Sequence, residues 1–340
     1  MKKELEGKQT VHFEIPPTIE ETASVGGKKE KEGPLGMTFD QTSDDEYFGT
    51  SSWEQAESEL LFRACDTLLQ KSGWRAEDIN YIIAGDLQAQ SASVSYGLRS
   101  FAVPLLGVFG ACSTMAESLS LAALAVGGGF GRRVIAATSS HFCSAEKQFR
   151  YPLEYGGQRT PTAQWTVTAS GAALVSDKGI PPYITHVTCG KMVDYGVKDA
   201  TNMGAAMAPA FADTVIRHFE DTGRTPDDYD LIVSGDLGSV GASIARALLK
   251  REGYQLGSNY NDCGMMIFDP KKQDVHAGGS GCGCSASVLC GHIIPQMKKG
   301  KLKRVLFAAT GALLNPIVIL QKESIPSICH AVAIDMEKEG

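Results

Sequence analysis

The sequence predicts an α/β fold built as a duplication, with two similar βαβ halves of layered mixed sheets and helices. Three observations predict it. Helix-spaced and strand-like apolar segments alternate along the chain, which implies mainly parallel pairing with helices on the faces. The stretch Glu77-Asp78-Ile79-Asn80-Tyr81-Ile82-Ile83-Ala84-Gly85-Asp86-Leu87 returns as Asp227-Asp228-Tyr229-Asp230-Leu231-Ile232-Val233-Ser234-Gly235-Asp236-Leu237, with Gly85 and Gly235 150 residues apart. A second pair, Arg133-Val134-Ile135-Ala136-Ala137-Thr138 and Arg304-Val305-Leu306-Phe307-Ala308-Ala309-Thr310, repeats in the same order 171 residues apart. That offset lays Gly281-Cys282-Gly283-Cys284 over the turn around Cys112 and leaves about 21 extra residues in the second half.

At 340 residues, the length fits one large or two medium domains. The expected division is an N-terminal strand with loops over 1–45, a first half over 46–190 and a second over 191–340. Residues 1–45 are polar, and the mixed charge run at 28–34 reads as solvated surface. Residues 53–71 read as a helix with Ala56, Leu60, Ala64 and Leu68 on one face and Ser52 as its cap. Met207, Phe211, Val215 and Phe219 mark the corresponding face in the second half.

A content of 43% hydrophobic and 21% charged residues supports an ordinary core. The net charge of −7 offers no electrostatic reason for a nucleic-acid partner. Nine irregularly spaced cysteines indicate reduced thiols. No apolar run is long enough to span a bilayer, and the charged start does not read as a signal peptide.

The stretch Phe109-Gly110-Ala111-Cys112-Ser113-Thr114 follows an apolar run at 103–108, read as a buried strand, and precedes a helical pattern at 117–126. Cys112 is thereby expected at a helix N-terminus, where backbone N–H groups and the helix dipole favour a thiolate. This is how a nucleophilic or ligand-contacting cysteine is presented, and it would make Cys112 alkylate faster than the other eight. A buried cysteine in tight strand–helix packing is the alternative. The glycine loop at 278–284, including Gly281 and Cys282, is expected to face Cys112 from the other half. His141 follows the strand at 134–137, at the end where α/β folds place ligands. His276 lies just before the glycine loop and is a candidate for lining the same pocket. Cys282, Cys284, Cys290 and His292 do not follow zinc spacing, so no metal is expected. The run Gly127-Gly128-Gly129-Phe130-Gly131 lies after a helix, the wrong end for phosphate, and reads as a helix C-terminal turn.

A duplicated α/β chain with cysteine at a strand-to-helix turn resembles the thiolase and ketoacyl-synthase fold. More specifically, Phe-Gly-Ala-Cys-Ser-Thr at 109–114, Ala-Ala-Thr-Ser-Ser-His at 136–141 and Gln-Phe-Arg-Tyr-Pro at 148–152 resemble the stage V sporulation protein AD family of endospore formers. Glu-Tyr-Gly-Gly-Gln at 154–158, Gly-Arg-Thr-Pro-Asp-Asp-Tyr-Asp-Leu-Ile at 223–232 and Ala-Gly-Gly-Ser-Gly-Cys at 277–282 carry the same resemblance, which runs from about 33 to 326.

The resemblance implies a thiolase-like protein that binds pyridine-2,6-dicarboxylate (dipicolinic acid) for its movement into the developing spore, without a cofactor. It implies other membrane proteins of the stage V sporulation A operon as partners, with a homodimer as a further candidate assembly. The expected location is the cytoplasmic face of the spore inner membrane, held peripherally, or the cytoplasm. Condensing enzymes of the fold pair the cysteine with two polar partners, His and Asn or two His. Here no His stands near Ser234-Gly235-Asp236-Leu237 and no Asn near Gly281-Cys282, which implies a binding pocket without condensing activity. Asp236 is the residue left to act as a base, but a carboxylate repels a developing oxyanion. Arg150 and Arg159 are the candidate partners for a ligand carboxylate, since a guanidinium pairs with it bidentately. The alternative is a structural pair with Glu146 or Glu154. An active acyl transferase using Cys112 remains the second reading of function.

Overall fold

Local signals recur in both halves. The computed structural model describes residues 4–149 and 158–338. The helix Trp53–Ser72 opens where the Ser52 hydroxyl accepts the Gln55 N–H, and ends at Gly73 in the left-handed region, φ 74°. Its counterpart Met203–Thr222 opens with Asn202 accepting the Ala205 N–H and ends at Gly223, φ 69°. Each helix leads into a short 3-10 turn, Ala76–Asp78 or Pro226–Asp228. There the Asp78 and Asp228 carboxylates accept the N–H groups of Arg75 and Thr225 at 3.0 and 2.7 Å. The strands Tyr81–Gly85 and Leu231–Ser234 follow.

Strand pairing repeats as well. The first half orders its strands Leu105–Gly107, Tyr81–Gly85, Arg133–Ser140, Ala169–Ser176 and Thr18–Gly26. The second orders Tyr260–Asp262, Leu231–Ser234, Arg304–Ala312, Ser327–Asp335 and Tyr183–Thr188. Numbered by appearance, both read 3-2-4-5-1. In each, the first two pairings are parallel and the last two antiparallel. The two runs join into one mixed sheet through the single register Tyr183↔Thr18, flanked by hydrogen bonds from Ile19 N–H to Pro182 O and from Ile184 N–H to Pro17 O.

The helices Thr114–Gly127 and Cys282–Val288 pack between the two sheet faces. Met115, Leu119, Ala286 and Val288 share one core with Ala136 and Val175 of one run and Val233 and Phe307 of the other. The outer helices Trp53–Ser72 and Met203–Thr222 cover the remaining faces, each over its own apolar cluster. Burial on both faces explains why these strands read as continuous apolar runs.

Several expectations are corrected. The segment at 103–108 contains only the strand Leu105–Gly107, exposed along its length because it is the edge of the sheet. The charged run at 28–34 is not wholly solvated. Glu30 is buried and accepts the Thr168 N–H at 2.9 Å, with burial pushing its carboxyl up to about 7. By pairing, Thr18–Gly26 belongs with the first half, although the sequence placed it in a separate N-terminal unit. Tyr183–Thr188 likewise pairs with the second half's strands, before the expected boundary at 190.

Candidate ligand site

The site grows from the turn at Cys112. Past the edge strand the chain bends through Ala111, whose φ of 51° is left-handed, and a 3-10 turn Ala111–Ser113 enters the helix Thr114–Gly127. The Ser113 hydroxyl donates to Gly110 O at 2.7 Å, and the Thr114 hydroxyl donates to Ala111 O while accepting the Gly110 N–H at 3.2 Å. Strands from both halves press on this turn. A Cβ on Gly85 would meet Val108 O at 2.2 Å, and one on Gly311 would meet Gly110 O at 2.0 Å. Only glycine permits either approach. Cys112 stands at the helix start as the sequence predicts, 8% exposed.

A cavity of about 210 Å³ opens over Cys112, between the halves. Leu87, Phe109 and Thr166 line it from the first half, and Met203, Ser280 and Gly281 from the second. Thr166 and Ser280 are brought together by the two-residue parallel pairing of Trp165–Thr166 with Gly279–Ser280. Strands this short show no periodicity, so the sequence carries no signal for them.

Asp236, just past the strand Leu231–Ser234, is fully buried beneath the cavity. Its carboxylate accepts the Gly281 N–H at 2.8 Å and is hydrogen-bonded to the Cys112 side chain, with the Thr310 hydroxyl at 3.5 Å. Burial pushes the carboxyl up to about 7 against the pull of the Gly281 and Cys112 hydrogen bonds, and the neighbouring Asp262 raises it further. Near neutral pH the group is therefore divided between acid and carboxylate. The Gln164 amide holds this loop to the glycine strand, donating to Asp236 O at 2.6 Å and Gly279 O at 3.0 Å.

The sequence-selected residues divide. Cys112 and Gly281 are in the cavity wall. Cys282 lies behind it, packed with Leu87, Cys112 and Ala145, and its thiol donates to Ser139 O at 3.0 Å. Burial holds that thiol well above its ordinary range. His141 is buried outside the cavity wall, with Nε2 on Glu46 O at 2.9 Å and Nδ1 accepting the Cys143 N–H at 3.2 Å. His276 also lies outside the wall, partly exposed and 3.4 Å from the Asp274 carboxylate. Arg150 lies outside the described residues. Arg159 is joined to the wall indirectly. It pairs with Glu146 at 3.4 Å, Glu146 accepts the Thr166 hydroxyl at 3.4 Å, and Thr166 lines the cavity. The guanidinium also sits 5.3 Å from the Trp165 ring, which stacks on Phe142 with centroids 3.8 Å apart. At the second helix start two amides are already engaged, the Gly281 N–H by Asp236 and the Gly283 N–H by Ser140 Oγ.

This two-half architecture is the thiolase-like fold, shared with 3-oxoacyl-[acyl-carrier-protein] synthase III structures. The 3-oxoacyl-[acyl-carrier-protein] synthase III of Aquifex aeolicus VF5 superposes with a TM-score of 0.56 over 94% of this chain and 99% of that chain, at 12% identity. The corresponding enzyme of Pseudomonas aeruginosa PAO1 gives 0.55 over 96% and 99%, at 11% identity. At such identities the likeness is one of fold. The family is set by sequence: the model for Stage V sporulation protein AD (SpoVAD) matches residues 7–335. The Stage V sporulation protein AD of Bacillus subtilis (strain 168) is 49% identical over 331 residues, covering 97% of this chain and 98% of that protein. The chain belongs to the stage V sporulation protein AD family.

Proposed function

We propose that the cavity over Cys112 binds dipicolinate, a flat ring with two carboxylates, for its uptake into the developing spore, and that the chain is silent as a condensing enzyme. The observation that carries this reading is Asp236, buried beneath the cavity and hydrogen-bonded to two residues of its wall, Cys112 and Gly281. Condensing chemistry needs donors aimed at a developing oxyanion. Here one partner position holds an acid that repels negative charge once ionised, and that acid already takes the Gly281 N–H. When Asp236 carries its proton the negative charge beneath the cavity is gone, and a ligand carboxylate above it meets no repulsion.

Size agrees with a single-ring ligand. An apolar cavity of about 150 Å³ holds benzene, and about 210 Å³ leaves room for ring substituents. For the second carboxylate we choose Arg159, freed from Glu146 when the ligand enters. In this reading the protein works at the cytoplasmic face of the spore inner membrane or in the cytoplasm, passing ligand to membrane proteins of the stage V sporulation A operon. No helix among the described residues is long and apolar enough to cross a membrane.

The test is calorimetric titration of wild type, Cys112→Trp and Arg159→Ala with dipicolinate, with and without calcium, using isophthalate as the control lacking the ring nitrogen. Binding by wild type, its loss in Cys112→Trp and a weakening of at least roughly tenfold in Arg159→Ala are expected. No wild-type binding in either condition rejects the reading. Acyl-CoA turnover that disappears in Cys112→Ala replaces it with the active acyl transferase.

A further inference from the structure

We propose that Glu6, His12 and His186 form a binding site for a divalent transition-metal ion of the zinc class. Strand pairing assembles the three. His12, in Thr10–His12, is directly across from His186, in Tyr183–Thr188. The strand Glu4–Glu6 folds back antiparallel on Thr10–His12 and brings Glu6 over the pair. The two imidazoles stack, with centroids 4.7 Å apart and planes 16° from parallel.

The distances fit ligands around an ion. Glu6 Oε1 is 3.5 Å from His12 Nδ1, and Oε2 is 3.6 Å from His186 Nε2. One ligand atom from each residue lies within 4.8 Å of the others. Tetrahedral zinc, with bonds of about 2.0–2.1 Å, sets neighbouring ligand atoms about 3.3–3.4 Å apart. Both Glu6 separations are near that edge and are long for hydrogen bonds.

Hydrogen bonding on the far side of His186 selects the tautomer a metal needs. The Thr185 hydroxyl donates to the Asp335 carboxylate, so its oxygen is left to accept from His186 Nδ1–H at 3.1 Å. In the neutral ring the lone pair is then on Nε2, the atom facing Glu6. A cation bound there would lie between two electron-pair donors 3.6 Å apart. A metal-bound histidine is typically steadied by a fixed acceptor on its other nitrogen, as here. His186 is 2% exposed, whereas His12 and Glu6 are 24% and 31% exposed, which leaves an approach from solvent and room for a water ligand.

Two imidazoles and a carboxylate suit zinc and its neighbours, whereas calcium takes oxygen ligands. An ion here would clamp the N-terminal strands to the edge of the second half's sheet and stabilise the folded chain by mass action.

The experiment titrates the full chain with zinc chloride by calorimetry, counts bound zinc after dialysis, and records the cobalt(II) spectrum. Wild type, Glu6→Gln, His12→Asn and Cys189→Ser are compared, the last because Cys189 is the exposed thiol nearby in sequence. His186 is left unchanged because it is buried. One zinc per chain is expected in wild type and Cys189→Ser, with affinity at least about tenfold weaker in Glu6→Gln and His12→Asn. The cobalt spectrum should lack a thiolate charge-transfer band. The proposal is overturned if wild type retains no zinc, if the two ligand variants bind as wild type does, or if the cobalt spectrum reports thiolate ligation.

Discussion

The Asp236 carboxylate accepts the Gly281 N–H across a 2.8 Å hydrogen bond. This bond joins the loop after a second-half strand to the start of the helix Cys282–Val288, at the floor of the cavity. It also keeps an acid buried in contact with Cys112. The stability of the folded chain therefore depends on where that acid holds its proton.

Asp236 should make the protein less stable as pH rises from about 4 to about 7. Its carboxyl is raised from 3.8 to about 7 in the folded chain. Between those values the folded state keeps a proton that the unfolded state releases, so the stabilisation is complete below the lower value and is lost on approach to the upper one. The slope from one such group is up to about 1.4 kcal/mol per pH unit. Glu30, pushed to about 7, and Glu57, pushed to about 8 by burial, add to the same trend in wild type. The readout is therefore the difference from Asp236→Asn, which keeps an acceptor for Gly281 and does not titrate. Urea unfolding at pH 5 and pH 7 should show a smaller stability loss in the variant; equal losses would mean that Asp236 titrates normally.

Gly311→Ala should destabilise the chain by at least about 1–3 kcal/mol, the usual cost of overpacking. Its Cβ would stand 2.0 Å from Gly110 O, on backbone that cannot yield without moving the Cys112 turn. Gly107→Ala is the control, because nothing lies within 4 Å of the added atom. It should stay within about 0.5 kcal/mol of wild type. Equal unfolding midpoints for the two variants would show that the turn gives way freely.

The contrast between those glycines marks what the sequence made legible. The repeat of Gly85 in Gly235, the cap at Ser52 and the placement of Cys112 at a helix start rest on local periodicity and turn chemistry, which are written in consecutive residues. Burial of Glu30 depends on Thr168, far away in the chain, and nothing around position 30 announces it. The exposed edge at Leu105–Gly107 reads like a buried strand because apolarity does not reveal a missing neighbour. His141 follows a strand as a ligand residue would, yet its ring meets Glu46 O. Asp236 was visible as a candidate base, but its bond to Gly281 follows from two loops meeting across the halves. Glu6, His12 and His186 become neighbours only once the strand register is known.

Thiol labelling should separate the cysteines by position. Six of the nine, Cys65, Cys263, Cys282, Cys284, Cys290 and Cys329, are at most 1% exposed. Cys189 is exposed, although burial of its surroundings raises its thiol and slows it. Brief iodoacetamide treatment read by mass spectrometry should modify Cys189 and Cys112 ahead of those six. Dipicolinate should slow labelling at Cys112 and leave Cys189 unchanged. Protection of both, or of neither, would separate ligand binding from the Cys112 cavity.

Dipicolinate binding should tighten as pH falls from about 8 to about 6. The ligand is a dianion across this range. With Asp236 ionised, a ligand carboxylate on the cavity floor faces a like charge in a site of low dielectric. With Asp236 protonated, repulsion vanishes. Binding therefore favours the protonated form and raises the group further above its free value of about 7. By linkage, the complex takes up as much as one proton, and affinity falls by up to about tenfold per pH unit above the free value. Asp236→Asn removes the titration and the charge, so its affinity should change little with pH and equal or exceed that of wild type at pH 8. Calorimetry in two buffers of different ionisation enthalpy measures the proton uptake directly. A wild-type affinity that rises with pH, or a proton uptake unchanged by Asp236→Asn, would mean that the dianion does not rest on this floor.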